Sequence, residues 1–284
     1  MNNKVIQLTD GRRLAYTEYK PINNFPIIAF HGTPGSRLER IFSEVALREA
    51  GIRLIVIERP GYGQSEFRDG YSLLEWPDEV IRLADALALD RFSVMGFSGG
   101  GPYAAACAYK IPERLVHAAL ISSGAPHDVP GLTDTMIPAN RELFELTRED
   151  YQTAAQQLAT LVDSPETLFG LFEAPAPAPD KVALANHEFR AMYRANLAES
   201  MRQGMVGLAY DMAVISRPWG FAPAAITANV SVWHGEMDLN APPAMGRYLA
   251  DTIPACRKHI FADQGHFLAP AHEKDILQTL SDNN

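Results

Sequence analysis

Phe92-Ser93-Val94-Met95-Gly96-Phe97-Ser98-Gly99-Gly100-Gly101-Pro102 decides the fold. An apolar β-prone run ends in Gly-x-Ser-x-Gly, and Pro102, suited to a first helical turn, opens a helix predicted to reach Lys110. Such a strand-to-helix turn needs small flanking residues, because backbone and helix approach closely while the serine hydroxyl projects from the sheet edge. With glycine near 7% of an average chain, the short pattern arises by chance about once in ten chains of this size. The strand before it and the helix after it carry the weight.

Four further apolar runs lie outward from this turn: Ile27 to Phe30, Leu54 to Ile57, Ala118 to Ile121 and Val230 to Trp233. All are too uniformly apolar for strands with one wet face, which points to parallel strands covered on both sides. Helical spacing is read over Arg37 to Ala50 and Leu73 to Leu89, so strands and helices alternate in an open, doubly wound sheet. Ahead of them, Val5 to Tyr19 reads as an antiparallel hairpin about Thr9-Asp10-Gly11. The alternation stops between Gly124 and Ala228, a helical, Met-rich stretch with alternating prolines from Ala174 to Pro179. Residues 1–123 and 229–284 are therefore expected to form the core, and 124–228 an inserted helical cap with the prolines as a stiff connector.

Ligands of such sheets bind beyond the carboxyl ends of the strands. His31-Gly32-Thr33-Pro34-Gly35 follows one run, and there the Thr33 and Gly99 backbone N–H groups are expected to face a developing oxyanion. His31 itself is expected to hydrogen-bond within its loop. Asp238 follows Val230 to Trp233, and His266 follows the stretch His259 to Ala262. The order Ser98, Asp238, His266 suits a nucleophile, an orienting acid and a general base. Glu236 and His272 are the alternative acid and base.

Together these pieces resemble the α/β-hydrolase superfamily from the hairpin to the terminal helix. His31 to Arg37 (HGTPGSR), Arg59 to Ser65 (RPGYGQS) and Trp219-Gly220-Phe221 look like a group of bacterial hydrolases mostly of undefined substrate. Ser98 stands where dehalogenases and most epoxide hydrolases carry aspartate, and Gly99 departs from the tryptophan usual in prolyl aminopeptidases. The elbow Gly-Phe-Ser-x-Gly-Gly-Gly resembles cofactor-free haloperoxidase-like esterases, which implies perhydrolysis as a side activity. The resemblance implies a serine hydrolase; because the chain itself supplies nucleophile, base and oxyanion donors, no metal or organic cofactor is expected, and a cap rich in Met and Leu without clustered Arg or Lys points to a small uncharged ester as substrate. Two other readings stay open: a small-molecule receptor on the same fold, and a carbon–carbon bond hydrolase or lyase.

The remaining composition excludes more than it identifies. A net charge of -9 over 284 residues argues against a nucleic-acid partner. No apolar run reaches the ~18 residues of a membrane span, and the first ten residues lack a secretory h-region, so a cytoplasmic location is expected. Cys107 and Cys256 have no metal-ligand spacing and are expected to be buried. Met136, Leu143, Phe144, Leu168, Phe169, Met192, Met201, Met205 and Met212 are candidate cap wall residues. Composition is silent on oligomeric state.

Overall fold

The computed structural model describes residues 2–8, 10–19 and 25–282. Met1, Thr9, residues 20–24 and residues 283–284, all within the expected core segments, lie outside the described residues. Eight strands form one sheet: β1 (Asn2–Gln7), β2 (Arg13–Tyr19), β3 (Phe25–Phe30), β4 (Ile52–Ile57), β5 (Phe92–Phe97), β6 (Leu115–Ile121), β7 (Val230–Gly235) and β8 (Arg257–Phe261). Their spatial order is β1-β2-β4-β3-β5-β6-β7-β8. Strand β2 runs antiparallel to β1 and β4, and every other pair is parallel. Each expected strand is present, most of them longer than the apolar run that announced it.

The uniform apolarity of the central strands is explained by cover on both faces. Along β3, Ile28 and Phe30 join one core and Ile27 and Ala29 the other, as strand alternation requires. The first core takes in α2 (Trp76–Ala86), α3 (Gly101–Lys110) and α9 (Pro243–Thr252). The second takes in Leu47 of α1 (Glu44–Glu49) and Leu277 and Leu280 of α10 (Glu273–Ser281). Helix α3 is buried over Tyr103 to Ala108, and its run of alanines lets it lie close against the sheet beneath Ser98.

Between β6 and β7 come α4 (Pro138–Leu161), α5 (Pro165–Glu173), α6 (Ala178–Ala185), α7 (His187–Ser200) and α8 (Val206–Ser216). Helix α4 breaks at Asp150 (φ -147°, ψ 87°), whose carboxylate accepts the N–H groups of Gln152 and Thr153 and caps the second half. The prolines from Ala174 onward join α5 to α6, with Pro177 preceding the first helical residue. Among the described residues no helix is long and apolar enough to cross a membrane.

Three local expectations need correction. The helix expected over Arg37 to Ala50 is confined to Glu44–Glu49, because Arg37 and Glu39 are pinned to distant partners and the chain turns helical only after Ser43, whose hydroxyl caps Ala46. The one expected over Leu73 to Leu89 starts as a 3-10 turn at Leu73–Glu75 and becomes α-helical from Trp76 to Ala86. Cys107 is fully buried, but Cys256 is only half-buried, beyond the end of α9.

Candidate active site

Strand β5 stops at Phe97, a 3-10 turn carries Ser98 to Gly100, and α3 begins at Gly101. Ser98 has φ +53°, a left-handed conformation that costs a non-glycine residue about 1 to 3 kcal/mol and is held by its surroundings. A Cβ at Gly100 would strike the backbone of Phe30 and His31, so the turn seats directly on the end of β3. One at Gly99 would lie 2.6 Å from Thr33 Cβ and 3.2 Å from its nitrogen. The two backbones expected to supply N–H donors are therefore neighbours.

The loop after β3 is fixed by Arg59. His31 Nε2 accepts the Arg59 backbone N–H at 3.1 Å, which makes Nδ1 the protonated nitrogen, donating to Gly32 O at 2.7 Å. Burial, reinforced by the adjacent Arg59 charge, pushes the His31 pKa well below its ordinary value. His31 thus hydrogen-bonds within its own loop. The Arg59 guanidinium donates to His31 O, to Gly32 O at 2.9 Å and to Thr33 Oγ1 at 2.9 Å. It also pairs with Asp211 of α8, Nε to Oδ1 at 3.0 Å and Nη2 to Oδ2 at 2.7 Å, with both side chains wholly buried. The same carboxylate accepts the hydroxyls of Tyr62 (2.9 Å), Tyr103 (2.6 Å) and Thr33 (2.6 Å). The two quoted sequence motifs, HGT and RPGY, are thereby tied to one acid.

Asp238 follows β7 and is 2% exposed. Its Oδ1 accepts the N–H groups of Asn240 and Ala241, both at 2.9 Å, and its Oδ2 accepts His266 Nδ1–H at 2.8 Å. That bond leaves His266 Nε2 as the nitrogen able to take a proton. Burial opposes charge on His266, but Asp238 by its charge and hydrogen bond, helped by Asp180 and Glu39, holds the pKa above its ordinary value. The backbone is clamped as well: Asp180 of α6 accepts the N–H groups of His266 (2.9 Å) and Phe267 (2.8 Å), and Ser122 Oγ donates to His266 O (2.7 Å).

Neither alternative residue enters this arrangement. Glu236 is paired with Arg247, and His272 precedes α10 with its ring stacked on Phe261 at 3.8 Å.

Ser98, Thr33, Gly99 and His266 line one cavity of about 130 Å³. Among the described residues no hydrogen bond joins the Ser98 hydroxyl to His266, although both side chains line the same cavity. Of the expected wall residues, Met136, Leu143, Phe144, Leu168 and Met212 line this chamber. Phe169, Met192, Met201 and Met205 do not: Phe169 packs on Tyr193, Met192 lines a second cavity, and Met201 and Met205 belong to the packing of the second core. The second cavity, of about 560 Å³, is larger, but it holds neither Ser98 nor His266. The smaller one is the candidate site, because the reactive groups converge there.

Sequence reading misses the acids that support this site. Asp211 is the only charge in the otherwise apolar Val206–Ser216 stretch, a pattern that signals a buried pair. Glu39 offers no such cue. Its carboxylate accepts the Gly32 N–H at 2.7 Å and Asn196 Nδ2 of α7 at 3.1 Å, while Asn196 Oδ1 accepts both the N–H and the hydroxyl of Ser36. Burial pushes the Glu39 pKa up to about 7, against the opposing pull of Gly32, Arg59, Asn196 and His266.

Comparison with known proteins adds family context. A family model described as alpha/beta hydrolase fold matches residues 26–272. A 2-hydroxymuconate semialdehyde hydrolase of Pseudomonas sp. (strain CF600) is 26% identical over 273 residues, 91% of this chain and 86% of that one. An uncharacterized hydrolase of Bacillus subtilis (strain 168) is 33% identical over 116 residues, a match that spans only 40% of each chain. Among solved structures, a hydrolase from Pseudomonas aeruginosa PA01 superposes with a TM-score of 0.73 at 19% identity, covering 98% of both chains.

Proposed function

The chain belongs to the alpha/beta hydrolase family, and from that premise we propose that it is a serine hydrolase, a carboxylesterase acting on small uncharged esters through an acyl-enzyme. The observation that carries this reading is the 2.8 Å Asp238–His266 bond, which reserves Nε2 for a chamber also lined by Ser98. His266 Nε2 takes the hydroxyl proton as Ser98 Oγ bonds to the acyl carbon. The carbonyl electron pair moves onto oxygen, which the Thr33 and Gly99 N–H groups receive. Collapse breaks the ester C–O bond, and the leaving alcohol takes the proton from His266. Water then repeats the cycle, freeing the acid and Ser98. Asp238 stabilises the imidazolium throughout, and residues 124–228 act as the cap that roofs the acyl site.

Neutral substrates are favoured by the walls. Met136, Leu143, Phe144, Leu168 and Met212 offer adaptable apolar surface, whereas a carboxylate would need a buried partner to offset its desolvation. The test is labelling with an organophosphonate, which should place a single adduct on Ser98 and none on the Ser98→Ala variant. An adduct elsewhere, or equal labelling of both proteins, would remove the proposal. A second reading, carbon–carbon bond hydrolysis, draws on the nearly full-length similarity to the semialdehyde hydrolase. It requires proton delivery to carbon by His266, and is favoured if ester turnover is negligible while Ser98 still labels.

A further inference from the structure

Acyl transfer as written uses Ser98, His266, Asp238 and two backbone N–H groups of the chamber, and leaves three polar side chains on its walls unused: His127, Asn140 and Asn240. Among the described residues, none of these side chains has a hydrogen bond to another protein group. Asn240 has a structural reason for its place, since its backbone N–H serves Asp238. The other two, among the described residues, make no hydrogen bond to the residues of the proposed triad. His127 lies in the loop after β6, and its ring stands edge-on to Phe144 of α4 at 4.7 Å. Asn140 precedes Phe144 by four residues, one helical turn, so it shares the face of α4 that meets His127. Both are half-buried on the cavity wall with polar atoms that are not sealed from solvent, so a ligand entering the cavity would replace their water with its own hydrogen bonds.

We propose that His127 and Asn140 form a recognition pair for an uncharged oxygen substituent, a hydroxyl or a ketone, carried by the substrate away from its scissile carbonyl. This rests on the esterase reading and narrows it: the substrate is an oxygenated ester and not a plain alkanoate. Burial, aided by Arg148 and only partly countered by Asp128, pushes the His127 pKa down to about 4, so the ring is neutral at pH 7. A neutral imidazole offers one donor and one acceptor, and the carboxamide offers both kinds. That set matches a hydroxyl or ketone. Neither residue carries the charge that would offset burial of a carboxylate. A site that hydrogen-bonds a substrate oxygen also discriminates against the analogue lacking it, because its own polar groups are then left unpaired.

The experiment compares kcat/KM for matched p-nitrophenyl esters, pentanoate against 4-oxopentanoate and butanoate against 3-hydroxybutanoate, each corrected for its rate with hydroxide. The unmodified protein should prefer the oxygenated member of at least one pair by roughly tenfold or more. His127→Phe and Asn140→Leu, on separate elements, should each bring that ratio to within about threefold of one. A second measurement needs no turnover: 4-oxopentanamide should raise the melting temperature more than pentanamide does, and His127→Phe should abolish the difference. A ratio near one in the unmodified protein together with equal stabilisation by the two amides, or a preference retained in both variants, would overturn the pair. Absence of all ester turnover with amide discrimination intact would remove the esterase reading and leave the pair standing.

Discussion

Replacing Asp211 by Asn should be the most damaging single-atom change available outside the proposed triad. The carboxylate accepts five hydrogen bonds, two from Arg59 and one each from Tyr62, Tyr103 and Thr33, and neither it nor Arg59 is exposed. The amide removes the negative charge, turns one acceptor into a donor that faces other donors, and leaves the guanidinium a buried cation. Breaking a buried pair in this way costs about 3 to 5 kcal/mol, against a total stability on the order of 5 to 15 kcal/mol for a folded chain. At a urea slope of about 3 kcal/mol per molar, the midpoint should fall by ~1 to 1.7 M. Equilibrium unfolding in urea, followed by fluorescence and by circular dichroism to check that the transitions coincide, measures it. Arg59→Met combined with Asp211→Leu removes both charges, so the double variant should be more stable than the summed losses of the two single ones imply. A midpoint within about 0.3 M of the unmodified protein, or strict additivity in the cycle, would refute the argument that the pair is dry and mutually dependent.

Three other outcomes follow from the site. Asp238→Asn should keep the fold and lower kcat by up to about 10⁴-fold, because the amide permits the wrong imidazole tautomer, whereas Glu236→Gln should change it little; steady-state kinetics showing the reverse ranking would reassign the acid. Glu39 has a folded pKa of about 7 against 4.5 for an ordinary carboxyl, so the stability it contributes is fully present below pH 4.5 and is lost as pH rises to 7. Relative to Glu39→Gln, the unmodified protein should lose about 3 kcal/mol across that interval, and parallel stability–pH curves for the two proteins would contradict the burial argument. Asp180 helps to hold the His266 pKa up, so Asp180→Asn should move the acid limb of kcat/KM to lower pH as well as loosening the loop; an unmoved or rising limb would show that its charge does not reach the imidazole.

What could be read from sequence was whatever chemistry writes locally. The uniformly apolar runs reported parallel strands because burial on both faces leaves no polar periodicity, and the residues just beyond two of them were Ser98 and Asp238, whereas His266 follows the half-buried edge strand β8. The carboxylate of Asp180 meets backbone 86 residues away, and Asp211 meets Thr33 178 residues away. Nothing near Asp180 distinguishes it from a solvated helix residue, so only folding reveals its role. The misplaced helix at Arg37 has the same origin. Its local spacing is helical, but Arg37 pairs with Glu58 and Glu199, and those long-range bonds outweigh a preference worth tenths of a kcal/mol per residue. Wall residues fared in between, since amphipathic spacing shows that a side chain is buried but not which of two cavities or cores receives it.

The helices between β6 and β7 grip the loops beneath them at several points, among them Asp211 at Thr33, Asn196 at Ser36 and Glu39, Glu199 at Arg37, and Asp180 at His266 and Phe267. They cannot be traded as a cassette. A graft of the corresponding segment from another hydrolase, however well it folded, would strand Arg59 without its acid and free the histidine loop unless it happened to bring matching side chains to these places. Exchanging single wall residues in place, such as Met136 or Leu168, alters the chamber while leaving these grips intact.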